Sequence, residues 1–182
     1  MDADWFMKKP LIRPLIRLAA RADLPALTEL AARTFYDAFA PTNTPENMEA
    51  YMSNAFTVKQ FTDEWEDPRA TFYLAECSER LAGYAKLYRS EPPACVNESN
   101  AIELSRLYVA SEFIGAGIGP ALMQHCLDEA RRQNYQAMFL GVWEHNPRAQ
   151  AFYRKWSFAR VGEHVFPMGD DPQIDWWMAR AL

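Results

Sequence analysis

The stretch Val109-Ala110-Ser111-Glu112-Phe113-Ile114-Gly115-Ala116-Gly117-Ile118-Gly119-Pro120 sets three alternating glycines between two apolar segments. Ile102 to Val109 before it reads as a strand. Pro120 to Gln133 after it reads as a helix, with Leu122, Met123, Cys126, Leu127 and Ala130 on one face. Glycine tolerates positive φ and lets a ligand approach the backbone closely. A strand that turns through glycines into a helix gathers free amides at the helix N-terminus, where the dipole reinforces their attraction for an anion. Phosphate is a common occupant of such turns. Two phosphate fingerprints do not match. No Lys followed by Ser or Thr comes after the last glycine, as a P-loop requires. The third glycine of a dinucleotide fingerprint would fall on Pro120 or Leu122.

The rest of the chain surrounds this turn with elements of both kinds. Residues 1–13 have no regular pattern and predict an irregular arm. Leu15 to Leu18 reads as a short strand. Asp23 is placed to cap a helix carrying Leu24, Leu27, Leu30, Ala31, Thr34 and Phe35, and Thr44 to cap a second with Met48, Tyr51, Met52 and Phe56. A third helical stretch holds Phe61 and Trp65. Thr71–Glu76 and Leu81–Tyr88 form a predicted hairpin. In the strand before the glycine turn the alternation breaks: Ile102 and Leu104 share one phase, Leu107 and Val109 the other. Ala137–Val142 reads as a buried strand, Asn146 caps a helix ending near Trp156, and Val161–Phe166 with Ile174–Ala179 closes the chain as a hairpin. This order predicts one α/β or α+β domain over residues 1–182, built around a central sheet.

Composition narrows the class. The 182 residues suffice to bury a core without disulfides or metals. Apolar runs fall far short of the ~20 residues of a membrane span. The acidic start is unlike a signal peptide, so a cytoplasmic protein is expected. Cys77, Cys95 and Cys126 have no metal-like spacing and are expected as reduced thiols. His125, His145 and His164 contain no i, i+4 pair, so no metal is predicted. A net charge of −5 argues against a nucleic-acid partner and suits a cationic substrate.

With Leu107-Tyr108-Val109, the turn Phe113 to Gly119, and Asn146-Pro147-Arg148-Ala149-Gln150-Ala151-Phe152-Tyr153 in this order, the chain resembles the GNAT superfamily of N-acetyltransferases over Ala101 to Phe158. Thr34-Phe35-Tyr36 and Gly169 to Asp175 resemble its bacterial polyamine (spermidine/spermine) branch. The resemblance implies a mixed, mostly antiparallel sheet flanked by helices, with acetyl-CoA as co-substrate. Amides of Ile114, Gly115, Ala116, Gly117, Ile118 and Gly119 would hold the pyrophosphate. Leu107 and Val109 would pair through their backbone with the pantetheine arm. Asn146 would hydrogen-bond that arm, and Tyr153 would stand near the thioester sulfur. Two positions depart from the family: Ile114 stands where Gln or Arg is common, and Ser157 where Gly is common. Glycine suits a left-handed residue after a helix, so Ser157 predicts a different exit geometry.

An alkylammonium, with pKa ~10.4, must lose a proton before it attacks a thioester. Tyr153 reads either as the acid that protonates the leaving thiolate or as a core aromatic. Glu103 reads either as a base acting through water or as a solvated strand residue. Asp175 suits binding of an ammonium group; Tyr36 and Trp176 either help cradle that cation or pack. Cys126 lies on the apolar helix face, so direct attack in a ternary complex is expected. The expected acceptor is the amine of a small molecule. A protein N-terminus or lysine is the alternative acceptor, and a non-catalytic acyl-CoA sensor the alternative class. No membrane partner is expected, and a homodimer through the terminal hairpin is one arrangement the sequence allows.

Overall fold

A computed structural model of the chain describes residues 13–168 and 171–182. All of the expected N-terminal arm but Arg13 lies outside these, as do Gly169 and Asp170 of the polyamine-like segment. Among the described residues the strands are β1 (Leu15–Leu18), β2 (Ala70–Cys77), β3 (Arg80–Tyr88), β4 (Ala101–Val109), β5 (Ala137–Trp143), β6 (Ala159–Met168) and β7 (Asp171–Ala181). The helices are α1 (Leu24–Phe39), α2 (Pro45–Ala55), α3 (Val58–Glu66), α4 (Ile118–Arg132) and α5 (Pro147–Lys155). The seven strands form one sheet in the order β1-β2-β3-β4-β5-β7-β6. β4 and β5 run parallel, and all other neighbours antiparallel.

Two apolar layers clamp the sheet. On one face Leu122, Met123, Cys126, Leu127 and Ala130 of α4 pack with Ile102, Leu104, Met138, Leu140 and Met178, and α5 adds Phe152 and Tyr153, with Trp156 just past its end. On the other, Leu27, Leu30 and Ala31 of α1 and Phe61 of α3 cover Phe72, Leu74 and Tyr84. Thr44 caps α2 as expected, its hydroxyl accepting the Asn47 amide at 3.2 Å.

A bulge resolves the broken alternation in β4. Lys86 pairs with Arg106 but Leu87 with Leu104, so Ser105 is an extra residue. It flips the phase and puts Ile102, Leu104, Leu107 and Val109 all on the α4/α5 face. Tyr108 consequently faces the α1/α3 layer, and Arg106 lies over the Phe61 ring of α3 at 5.2 Å.

Three local expectations change. Asp23 precedes α1 but makes no capping bond to it; its carboxylate takes the Ala20 amide at 2.7 Å and the Arg17 guanidinium at 2.6 and 2.8 Å, a charge-assisted pairing stronger than a neutral cap. Helix α4 begins at Ile118, not Pro120; a first-turn amide has no intrahelical acceptor, so proline costs nothing there. Ser157 keeps the exit geometry of glycine, at φ 64°. Its amide donates to Arg154 at 3.0 Å and that of Phe158 to Tyr153 at 3.1 Å, the paired bonds of a Schellman motif.

Candidate active site

The two parallel strands at the centre of the sheet part company. β4 and β5 pair only at Ala101–Ala137, Ile102–Met138 and Glu103–Phe139, although β4 runs on to Val109 and β5 to Trp143. Beyond Glu103 one edge of β4 has no strand beside it. On its other edge Ala110 donates to the Ala82 carbonyl at 2.9 Å. Backbone direction alternates by residue, so Tyr108 and Ala110 turn toward β3 while Leu107 and Val109 present N–H and C=O to the opening.

The glycine turn stands at the far end of this edge. Gly115 and Gly117 have φ of 85° and 94°, a conformation that L side chains resist. The amide of Ile114 is taken by Ser111 at 3.3 Å and that of Ala116 by Phe113 at 3.1 Å. Among the described residues no backbone carbonyl takes the amides of Gly115, Gly117, Ile118 or Gly119. The predicted set of six amides thus contains two that close the turn and four left for an anion at the positive end of α4. A Cβ on Gly119 would lie 3.7 Å from Val109 and 3.8 Å from Phe152, so the turn, the end of β4 and α5 meet here. These free groups, an unpaired strand edge leading to an amide nest, fit an extended arm ending in a pyrophosphate.

Helix α5 approaches the opening from the α4 face. Asn146 caps it, Oδ1 accepting the Ala149 amide at 3.0 Å; of its polar atoms this leaves Nδ2 for other work. The Tyr153 ring lies between Phe152 and Phe158, at 5.5 and 5.9 Å. Burial pushes its phenol pKa up, with a lesser push from Cys126, so it stays a proton donor at neutral pH. Burial raises the Tyr108 phenol too, with Tyr84 the next contributor and Tyr153 a lesser one.

Glu103 occupies the last paired rung, its Oε2 accepting the Ser90 hydroxyl at 2.7 Å. Tyr36, Asp175 and Trp176 are not gathered into one cradle. Tyr36 is 54% exposed and borders a groove between α1 and α2 with Asn43, Met48 and Met52. Trp176 faces the α4/α5 layer, where the Arg160 guanidinium lies 4.3 Å from its ring centre. Asp175, one residue earlier on β7, faces the opposite side, beside Gly141 and His164. Burial raises the Asp175 carboxyl pKa against the opposing pull of His164.

Sequence reasoning missed two groupings here. Glu64 of α3 takes both Arg106 nitrogens, at 2.8 and 3.0 Å, and Lys86 Nζ at 2.7 Å. Burial opposes its ionisation, yet the two cations hold its carboxyl below the usual range. Nothing local in the sequence joins three residues this far apart. The second grouping is the His164–Asp175 pair, whose one sequence signal is Gly141 inside an apolar strand.

The acetyltransferase (GNAT) family model matches residues 24–158. An uncharacterised N-acetyltransferase of Lactobacillus delbrueckii subsp. lactis is 32% identical over 160 residues, covering 88% of this chain and 92% of the relative. One of Mycobacterium tuberculosis (strain H37Rv) is also 32% identical over 160 residues, covering 88% and 98%. The PaiA N-acetyltransferase of Thermoplasma acidophilum, solved in complex with coenzyme A, superposes with a TM-score of 0.71 at 20% identity over 94% of this chain and 100% of that one. A family match over most of the chain, on a sheet parted between two parallel strands, makes this protein a member of the GNAT family and an acyl-CoA-dependent N-acetyltransferase.

Proposed function

We propose that the protein acetylates the primary amine of a small molecule, with polyamines among the candidates, by direct attack within a ternary complex in the cytoplasm. The observation that carries this reading is the unpaired β4 edge beyond the Glu103–Phe139 rung, ending in four free amides. Acetyl-CoA bound there supplies the thioester carbon that the amine attacks and the sulfur that leaves. The amides of Gly115, Gly117, Ile118 and Gly119 hold the pyrophosphate, and the backbone of Leu107 and Val109 lines up the pantetheine arm, with Asn146 Nδ2 as a further donor. The Val109 amide is the candidate donor to the carbonyl oxygen as charge builds on it. Tyr153, kept protonated by burial, gives its proton to the leaving sulfur. Glu103, at the apex of the opening, offers a carboxylate for proton transfer through water. Asp175 binds the ammonium.

The test is thiol release from acetyl-CoA with polyamines, amino acids and aminoglycosides, for wild type and Tyr153→Phe. Amine-dependent release that drops roughly a hundredfold in the variant supports the reaction and the acid role. Release that the variant retains removes Tyr153 from that role. Acetyl-CoA binding without release by any amine moves the reading to a protein amine or to a sensor.

A further inference from the structure

Gly141 is the one exposed residue in the first six of β5, all others there being buried. It lies two positions past Phe139, where the strands have parted. A Cβ on Gly141 would come 3.3 Å from His164 Nε2 and 3.5 Å from Asp175 Oδ2. The two side chains belong to directly opposed residues of β6 and β7 and converge on the spot above the glycine that a Cβ would fill.

Their hydrogen bonding is incomplete in a specific way. The His164 ring stacks on Trp177, centres 4.0 Å apart and planes 18° from parallel, which sets its orientation. Its Nδ1 lies 3.3 Å from the Val165 carbonyl. A carbonyl can only accept, so we assign the ring proton to Nδ1, which leaves a lone pair on Nε2. Nε2 is buried and has no partner among the described residues. The Asp175 carboxylate is an acceptor as well. Two acceptors facing one point lack a donor, and a buried acceptor left unpaired keeps its full desolvation cost. A group with several N–H donors and a positive charge satisfies both.

The walls around this point are aromatic. Trp143 stands opposite Asp175 on β5, with Phe39 5.8 Å from it. Phe166, two residues along β6 from His164, has Tyr51 at 5.7 Å. Tyr51 also feels Asp175; burial is the main cause of its raised phenol pKa, and Arg106 and Glu64 act on it in opposite directions.

We infer that the acceptor's ammonium sits between Asp175 and His164 over Gly141, and that His164 Nε2 takes the proton it must lose before attacking. The inference rests on the transferase reading above. The first proton of R–NH3+ passes to Nε2 and then to solvent. The second leaves nitrogen through water to the Glu103 carboxylate and on to solvent as the amide bond forms, while Tyr153 gives its proton to sulfur and takes one back from solvent. One carboxylate among aromatic rings suits a single ammonium carried on a flat or apolar body.

The test has two arms, both with acetyl-CoA binding measured for each variant. In the first, 2-phenylethylammonium chloride is added to the protein while the histidine ring resonances are followed by NMR, the His164 signal being the one that His164→Gln removes. That signal is expected to shift, and Asp175→Asn and Gly141→Ala to abolish the shift. In the second, turnover of 2-phenylethylamine is measured against pH. His164→Gln is expected to lose about a hundredfold in kcat at neutral pH and to recover toward the amine's own pKa, where free amine forms without a base. Asp175→Asn and Gly141→Ala are expected to raise the amine KM at least tenfold. A shift without turnover would leave the amine site standing and sink the transferase reading. No shift, or a His164→Gln enzyme at the wild-type rate, would overturn the site. Loss in His164→Gln without recovery at high pH would overturn the proton-accepting role, as would an acidic rate limb that moves in Glu103→Gln and not in His164→Gln.

Discussion

Glu103 of β4 and Phe139 of β5 form the last rung between the two parallel strands, and past it β4 carries six more residues with one edge unpaired. Hydrogen exchange reads this directly. The Leu107 and Val109 amides, which face the opening, should exchange at least about tenfold faster than those of Arg106 and Tyr108, which face β3. Saturating acetyl-CoA should slow Leu107 and Val109 selectively. Equal rates for the two sets would mean that the edge is closed in solution.

Gly83 sets how closely β3 approaches the end of β4. A Cβ there would lie 2.7 Å from the Tyr108 carbonyl oxygen, with Ile118 and Leu122 atoms at 3.2 Å. The first of these contacts is with backbone, so the strand itself must move. Gly83→Ala should cost about 1–3 kcal/mol in urea denaturation and weaken acetyl-CoA binding, because the displaced carbonyl adjoins Val109. Unchanged stability and affinity would contradict this geometry.

Ser157, at φ 64°, occupies a position made for glycine. The left-handed conformation costs an L residue about 1–2 kcal/mol, and the extra unfolded-state freedom of glycine returns about 0.5–1. Ser157→Gly should therefore gain about 0.5–1 kcal/mol, raising Tm by roughly 2 °C in a chain this long. Asn134→Gly, at φ 63°, should gain less, since Asn tolerates this region. A loss on Ser157→Gly would show that the serine hydroxyl contributes something the backbone does not explain.

Glu64 neutralises Lys86 and Arg106, whose side chains are 9% and 21% exposed. Glu64→Gln leaves two largely buried cations without their counter-charge and should cost about 3 kcal/mol at neutral pH. The sign with pH follows from its depressed carboxyl pKa. The contribution is complete above the unfolded value near 4.5 and is lost as pH falls through the lower folded value. The gap in urea midpoint between wild type and Glu64→Gln should thus narrow from about pH 7 to about pH 3. A gap independent of pH would assign the cost to packing.

Much of this architecture was legible before any coordinates, because it depends on near neighbours. The glycine turn, the Asn146 and Thr44 caps and the apolar face of α4 each depend on residues within a few positions of one another. Other features could not be read that way. The phase break in β4 became a bulge at Ser105 only through its register with β3. Ser157 adopted the glycine conformation because the Schellman bonds to Arg154 and Tyr153 offset its local cost. Trp176 and Asp175, adjacent in sequence, went to opposite faces once β7 paired with both neighbours.

The sequence by itself determined the proposed donor side: a strand, a glycine turn and a helix end in unbroken succession, whose amides are aimed by local dihedral preferences. Only the tertiary structure decided the proposed acceptor side. Gly141, His164 and Asp175 come from three strands and the rings around them from α1, α2, β5 and β6, and their convergence exists only when long-range strand pairing and the packing of α1 and α2 bring them together.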